Sequence, residues 1–237
     1  MNKIWAWLTD PANWRGDDGA LALIWQHLGY SALALLIACL IGIPLGLFIG
    51  HTGRGRVLVV NLVNGMRSVP TLGLLYVAVL VVGPRIGGDN AFLVPAIFVL
   101  VLLAVPPVLA GAYSGVDSTP PGARDAAKGM GMTPGQVLRQ VELPCALPLL
   151  FSGIRSAALQ VVATATLAAF VSLGGLGRLL QFGQANQDYG MMGAGAVLVG
   201  LLALAVDGLF ALVQRSVVSP GLSGRRVRSR ALPEPQS

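Results

Sequence analysis

The side chains able to do acid–base, nucleophilic or metal chemistry are few in this chain and poorly placed for it. There are two histidines, His27 and His51, and two cysteines, Cys39 and Cys145. The histidines flank one apolar run at its opposite ends and cannot share a site. Cys39 lies inside that run and Cys145 in a polar loop, with no disulfide framework or metal-ligand spacing around them. The chain contains no His-Glu-x-x-His and no Gly-rich phosphate loop ending in Gly-Lys-Ser/Thr. Gly174-Gly175-Leu176-Gly177 lacks the serine of a nucleophile turn. These residues predict no catalytic group and no metal, and they speak against an enzyme.

The charges that do stand out lie in apolar surroundings. Arg67 falls within a hydrophobic run, where an ionised side chain is costly and faces a bundle interior or water. Two readings are open: Arg67 lines or gates a polar path, or it pairs with Asp207 or backbone carbonyls to fix helix packing. Asp207 is the candidate intramembrane counter-charge, with a structural role favoured. Pro70 leaves a backbone hydrogen bond unmade, and broken helices expose carbonyls and helix ends to polar solutes. Arg67, Ser68, Pro70 and Thr71 are therefore the candidate translocation path.

The elements that must position these residues are membrane helices. Of 237 residues, 54% are hydrophobic and only 11% charged, against roughly 25% charged in a soluble domain. So little charge cannot solvate a globule, so lipid must cover much of the apolar surface. About 20 mostly apolar residues cross the hydrocarbon core. Five runs qualify: Leu28 to Gly50, Val57 to Val82, Phe92 to Tyr113, Leu147 to Leu173 and Met192 to Val213. The second could instead be two short segments broken at Ser68-Val69-Pro70. Gly42, Gly46 and Gly50 recur every four residues, a spacing that suits close helix packing. The fold class expected is all-α and integral to the membrane.

Basic residues set the orientation. Arg54, Arg56, Arg124, Lys128, Arg139, Arg215 and the tail arginines Arg225, Arg226, Arg228 and Arg230 fall on one side. Only Lys3, Arg15, Arg85 and Arg178 fall on the other. The positive-inside rule then puts the N-terminus outside and the C-terminus in the cytoplasm, as an odd number of crossings requires. Three regions follow. Residues 1–27, with Trp5, Trp7, Trp14 and Trp25, form an outer interfacial segment. Residues 28–218 are the membrane domain, with a cytoplasmic loop at 115–147, and 219–237 are a basic tail. The net charge of +6 is concentrated in that tail as a membrane-side anchor, which speaks against a nucleic-acid partner. The first residues do not read as a removable signal peptide.

The loop from Thr119 to Pro148 carries the most information. Ala123 to Met130 has helix-forming composition, and Gly129 and Gly131 interrupt it. Thr133 is a good N-cap and Pro134 suits the first helical position. A second short helix is expected from Gln136 to Glu142, with Val137 and Val141 on one face, closed by Pro144. Pro148 then marks entry to the fourth span. Two short helices around a glycine turn make a compact docking knob, and Ala126 and Ala127 keep one face small enough for close approach.

This loop resembles the signature loop of ABC importer permeases, which reads Glu-Ala-Ala, three residues, Gly, nine residues, Ile, one residue, Leu-Pro. Here Asp125-Ala126-Ala127, Gly131, Val141 and Leu143-Pro144 keep every spacing, with Asp for Glu and Val for Ile. The resemblance implies coupling helices that dock on a cytoplasmic ATPase subunit through Asp125, Ala126, Ala127, Gly131 and their neighbours. Arg67-Ser68-Val69-Pro70-Thr71 and Gly174-Gly175-Leu176-Gly177 are similar to small five-span permeases of the methionine-importer type. Asn64 to Leu72, Gly129-Met130-Gly131-Met132-Thr133 and Gln187-Asp188-Tyr189-Gly190-Met191-Met192 resemble permeases for glycine betaine, choline and carnitine. By that resemblance, ATP and Mg belong to the ATPase subunit and substrate capture to a separate extracytoplasmic binding protein. A second permease chain, the same or related, completes the pore. Methionine or another amino acid is the alternative cargo. A self-sufficient secondary transporter is the alternative class, and it would need more spans and coupling-ion carboxylates.

Overall fold

The computed structural model describes residues 2–57, 59, 61, 65, 68–88 and 90–217. Arg67 and the basic tail therefore lie outside the described residues. The described chain folds into helices α1 (Asn2–Thr9), α2 (Ala20–Thr52), α3 (Thr71–Ile86), α4 (Asn90–Asp117), α5 (Pro121–Gly129), α6 (Pro134–Val137), α7 (Leu143–Ala168), α8 (Gly177–Ala185) and α9 (Tyr189–Val217). Four stretches are long and apolar enough to cross a membrane: α2, α4, Pro134–Val171 and α9.

Small residues set how close the helices come. A Cβ on Gly42 would meet the Val108 side chain, one on Gly46 would lie 2.6 Å from the Ala112 Cβ, and one on Gly50 would lie 2.7 Å from the Val116 Cβ. The four-residue glycine ladder is thus the contact face of α2 on α4. Because 42, 46 and 50 meet 108, 112 and 116 in ascending order, the two helices run parallel. Two parallel spans require a return pass between them, which is the second of five crossings. On α7, Gly153 faces Gly111, and a Cβ on Gly115 would meet Ala146, so α7 runs antiparallel to α4. Where lipid competes equally for apolar surface, such close backbone approach is the main source of helix association. The core follows from it: Ala34, Ala38, Leu100, Ala104, Val108, Ala157 and Val161 pack between α2, α4 and α7.

Of the two readings of Val57 to Val82, the return pass takes the one broken at Ser68-Val69-Pro70, not the single span. The chain is not helical through Val69 and Pro70, and α3 starts afresh at Thr71. Pro70 has no N–H and biases Val69 away from helical geometry, which explains the break. Sixteen residues of α3 rise only about 24 Å, short of the ~30 Å core. Gly83 lies against Ala91, and Leu75 packs with Ala96, Val99 and Leu103. That antiparallel course brings Pro70 roughly half-way along α4.

Two other boundaries differ from expectation. Helix α2 starts at Ala20, so residues 20–27 belong to the spanning helix and not to the interfacial segment. Nothing between Gly19 and Leu28 breaks a helix, and the polar His27 is accommodated in the core, its Nε2–H donating to the Val162 carbonyl at 3.0 Å. At the other end, Pro144 does not close a second short helix. Residues Pro134 to Val171 form one continuous helical stretch, with a π turn at Leu138–Glu142. A proline ring presses on the carbonyl four residues back. Widening to i→i+5 bonding, as in Leu143 N–H to the Leu138 carbonyl, makes room for Pro144.

The outer end is knit together by the remaining motifs. Gly174 and Gly175, at φ 94° and 73°, turn the chain after α7, and the Gly175 N–H donates to Gln26 Oε1 of α2. Asp188 caps α9, accepting from the N–H groups of Gly190 and Met191. Gly190 and Gly193 leave room for Lys3 and Ile4 of α1, which lies across the start of α9.

Candidate functional site

The docking knob is built as the sequence demands at its turn. Helix α5 ends at Gly129, and Gly131 adopts φ 79°, a left-handed conformation that side-chain-bearing residues adopt only at a cost. Thr133 then starts α6 with a capping box, its N–H accepted by Gln136 Oε1 at 2.7 Å. Asp125, Ala126, Lys128, Gly131 and Arg139 are exposed on this knob. Met130, at its tip, is 71% exposed. The Gly-Met-Gly-Met-Thr segment was read only as a resemblance; its exposed apolar tip could have been inferred from a methionine set between two glycines.

Ala127 is a correction. It is 1% exposed, facing the chain's own π turn, so it packs the knob internally and does not lie on the outer face. The arginine and the alanines before and after Asp125 divide between the two sides of a single helix turn. Val141, Leu143 and Pro144 are half-buried at the base of the knob. Their contribution is to carry the knob on the long fourth span.

Beneath the knob lies a buried ionic group. Glu142 is 2% exposed. Its Oε1 is 2.8 Å from Arg124 Nε, and its Oε2 is 2.6 Å from His51 Nδ1. A carboxylate only accepts, so the His51 Nδ1 carries the proton of that bond. Arg124 also donates through Nη2 to the Val116 carbonyl of α4. Removing one member of a buried pair typically costs about 3–5 kcal/mol, because the other charge is left uncompensated. The sequence marks His51 only as flanking the first apolar run and Arg124 only as one of the basic residues of one side; Glu142 is the variable position of the signature, and His51 is 91 residues away from it.

Inside the membrane, Asp207 has its partner in Arg155. Both oxygens are engaged, Oδ1 by Nε at 2.5 Å and Oδ2 by Nη2 at 2.6 Å. The planar guanidinium matches the carboxylate fork. The pair ties α9 to α7, a structural role for Asp207, with Arg155 in the place offered to Arg67. The sequence signal was the charge itself within the fourth span, which the surrounding apolar residues outweighed.

A cleft of about 310 Å³ opens between α4 and α7. Its polar lining is Ser114 from α4 and Ser152, Ser156 and Gln160 from α7. The three α7 residues recur every four positions and so form one stripe. Leu103, Pro106, Pro107, Ala110, Gly111, Leu149 and Gly153 complete the wall, and among the described residues no charged or aromatic side chain lines it. Ser68, Pro70 and Thr71 do not contribute; Ser68 and Pro70 are exposed and Thr71 half-buried at the start of α3.

Comparison with known proteins gives this geometry a family. Residues 42–219 match the model for the binding-protein-dependent transport system inner membrane component. The chain belongs to this ABC permease family. It is 35% identical to the osmoprotectant import permease protein OsmW of Salmonella typhimurium, over 87% of this chain and 95% of the relative. It is 32% identical to the glycine betaine/carnitine/choline transport system permease protein OpuCB of Bacillus subtilis, over 85% and 89%. Among solved structures, the MetNI methionine ABC transporter in an inward-facing conformation matches with a TM-score of 0.70 at 25% identity, over 82% of this chain and 94% of that one. An ABC permease is a non-catalytic, multi-pass membrane subunit, and the helices described here have that character.

Proposed function

We propose that this chain is the permease subunit of an ABC importer for a quaternary-ammonium osmoprotectant such as glycine betaine, choline or carnitine. The observation that carries the reading is the exposed knob of α5 and α6 on a membrane bundle, with the full signature spacing and a Met130 tip. ATP and Mg bind to a separate ATPase subunit, whose closing and opening draws the knob of each permease chain. An extracytoplasmic binding protein delivers the solute to the opposite face, and the N-terminus lies on that outer side. Only a difference in docking energy between the two ATPase states can move the gate.

The Ser114, Ser152, Ser156 and Gln160 stripe is the solute's path, facing a second permease chain across the pore. Exposed hydroxyl and amide groups are costly against lipid and cheap against water. An uncharged wall with a single polar stripe and no aromatic side chain suits a solute that must pass without being held, since capture belongs to the binding protein. Tight cation–π binding would oppose release. The fold likeness to the MetNI transporter favours methionine as the second reading of the cargo.

The test is co-expression with the ATPase subunit and binding protein, purification through a tag on this chain, and ATPase assay in nanodiscs. Hydrolysis should rise several-fold on adding the binding protein loaded with glycine betaine, choline or carnitine. Stimulation by loaded methionine alone would transfer the reading to amino-acid import. Substituting Ser152, Ser156 and Gln160 singly by cysteine in a Cys39→Ala/Cys145→Ala background should permit labelling by a water-soluble thiosulfonate, and Leu204→Cys, on the lipid-facing side of α9, should not label.

A further inference from the structure

Helix α5 has few ties to the bundle that it is meant to move. Its packing partners are α6 and the π turn, and its ends are the short connectors 118–120 and 130–133. That packing ties α5 to the start of the fourth span only, and leaves it without a hold on α2 and α4. The buried group under it supplies the missing link, because His51 comes from α2, 91 residues from Glu142. Arg124 is in α5, Glu142 closes the π turn that leads into α7, and His51 is in the last turn of α2. The second anchor of Arg124, the Val116 carbonyl, is in the last turn of α4. One carboxylate thus joins the knob to the inner ends of the spans that pack against one another in the core.

We propose that Glu142, with Arg124 and His51, is a positioning clasp that locks the coupling knob to the inner ends of α2 and α7, so that force on α5 moves these spans as one body. The inference rests on the permease reading and names the residues that transmit its motion. Three features support this role over that of a generic buried pair. The carboxylate is fully withdrawn from water while both its partners remain a quarter exposed, so it is the hub. Each of its oxygens takes a different element, so no single partner can replace the other. A charged hub is also costly to bury, whereas simple adhesion between these elements could be had from apolar residues.

The test uses two readouts. Nitroxide labels at Lys128→Cys on α5 and Thr52→Cys at the end of α2, in a Cys39→Ala/Cys145→Ala background in nanodiscs, report the distance across the clasp on this chain alone. The expected distribution is narrow, and Glu142→Gln, which keeps the shape and removes the charge, should broaden it at least twofold. In the complex with ATPase subunit and binding protein, Glu142→Gln should lower the ratio of stimulated to basal hydrolysis about tenfold, within the range typical of coupling between sites. His51→Gln, which spares the Arg124 pair, should lower it by a smaller factor and serves in place of Glu142→Gln where that variant fails to insert. A role in stability alone would reduce the yield of complex and leave the ratio in the surviving complex unchanged, and that result overturns the proposal. An unbroadened distance distribution overturns the clasp. If the unaltered chain binds no ATPase subunit at all, the permease reading falls and the transmission falls with it, whatever the distances show.

Discussion

At the scale of single residues, Gly131 is the position where backbone geometry alone decides the outcome. Its φ of 79° is closed to proline, whose ring fixes φ near −65°. Gly131→Pro should therefore unmake the α5–α6 turn, abolish substrate-stimulated ATPase activity and leave membrane insertion intact, as membrane fractionation and an ATPase assay would show. Met130→Asp puts a charge on the apolar tip without touching the turn, so it should weaken co-purification of the ATPase subunit while leaving the knob folded. Asp207→Asn leaves Arg155 without its counter-charge inside the membrane. It should lower the melting temperature in detergent more than the double change Arg155→Leu/Asp207→Leu does, since the double change removes both charges together. The signature positions were legible because they obey local backbone rules: a left-handed glycine, an N-cap followed by proline. The roles of Glu142, Arg155 and His51 were not, because an ion pair is recognisable only by a partner that the fold brings in from 52 or 91 residues away.

At the scale of elements, the glycine ladder of α2 was readable as a four-residue repeat, but its partner was not. That Gly42, Gly46 and Gly50 face α4 in parallel depends on where the chain goes between them. A valine at Gly46 would add three carbons, the first of them already 2.6 Å from the Ala112 Cβ and the Leu109 carbonyl oxygen. Overpacking of this kind costs about 1–3 kcal/mol, so Gly46→Val should lower thermal stability by an amount visible in a detergent melt, while Gly200→Val, which meets nothing, should be neutral. Spans were legible from composition wherever a run was unbroken. The return pass stays open between two readings, and the base of the knob differs from expectation, for one physical reason, the response of a helix to proline. Pro70 biases Val69 out of helical geometry and stands as the N-cap from which α3 starts, while Pro144 is absorbed by a π turn. The dipeptide text does not distinguish these cases; the tertiary support around each does.

At the scale of the whole molecule, the account requires a sided machine. The knob, the Glu142 clasp and the ends of α2 and α4 gather at one end, while α1, α8 and the capped start of α9 gather at the other. The spans separate the two ends, and the permease reading proposed above, with the expected bias of basic residues, puts the knob end in the cytoplasm. Charge bias was readable in the sequence, and the gathering of distant segments at each end was not, because it follows from helix packing. The most direct test of this arrangement is accessibility of Lys128→Cys, exposed on α5, in a Cys39→Ala/Cys145→Ala chain treated with a membrane-impermeant maleimide. Labelling in inverted membrane vesicles and none in intact cells is the result expected. Labelling from outside intact cells would place the knob beyond the reach of any cytoplasmic ATPase and contradict the account.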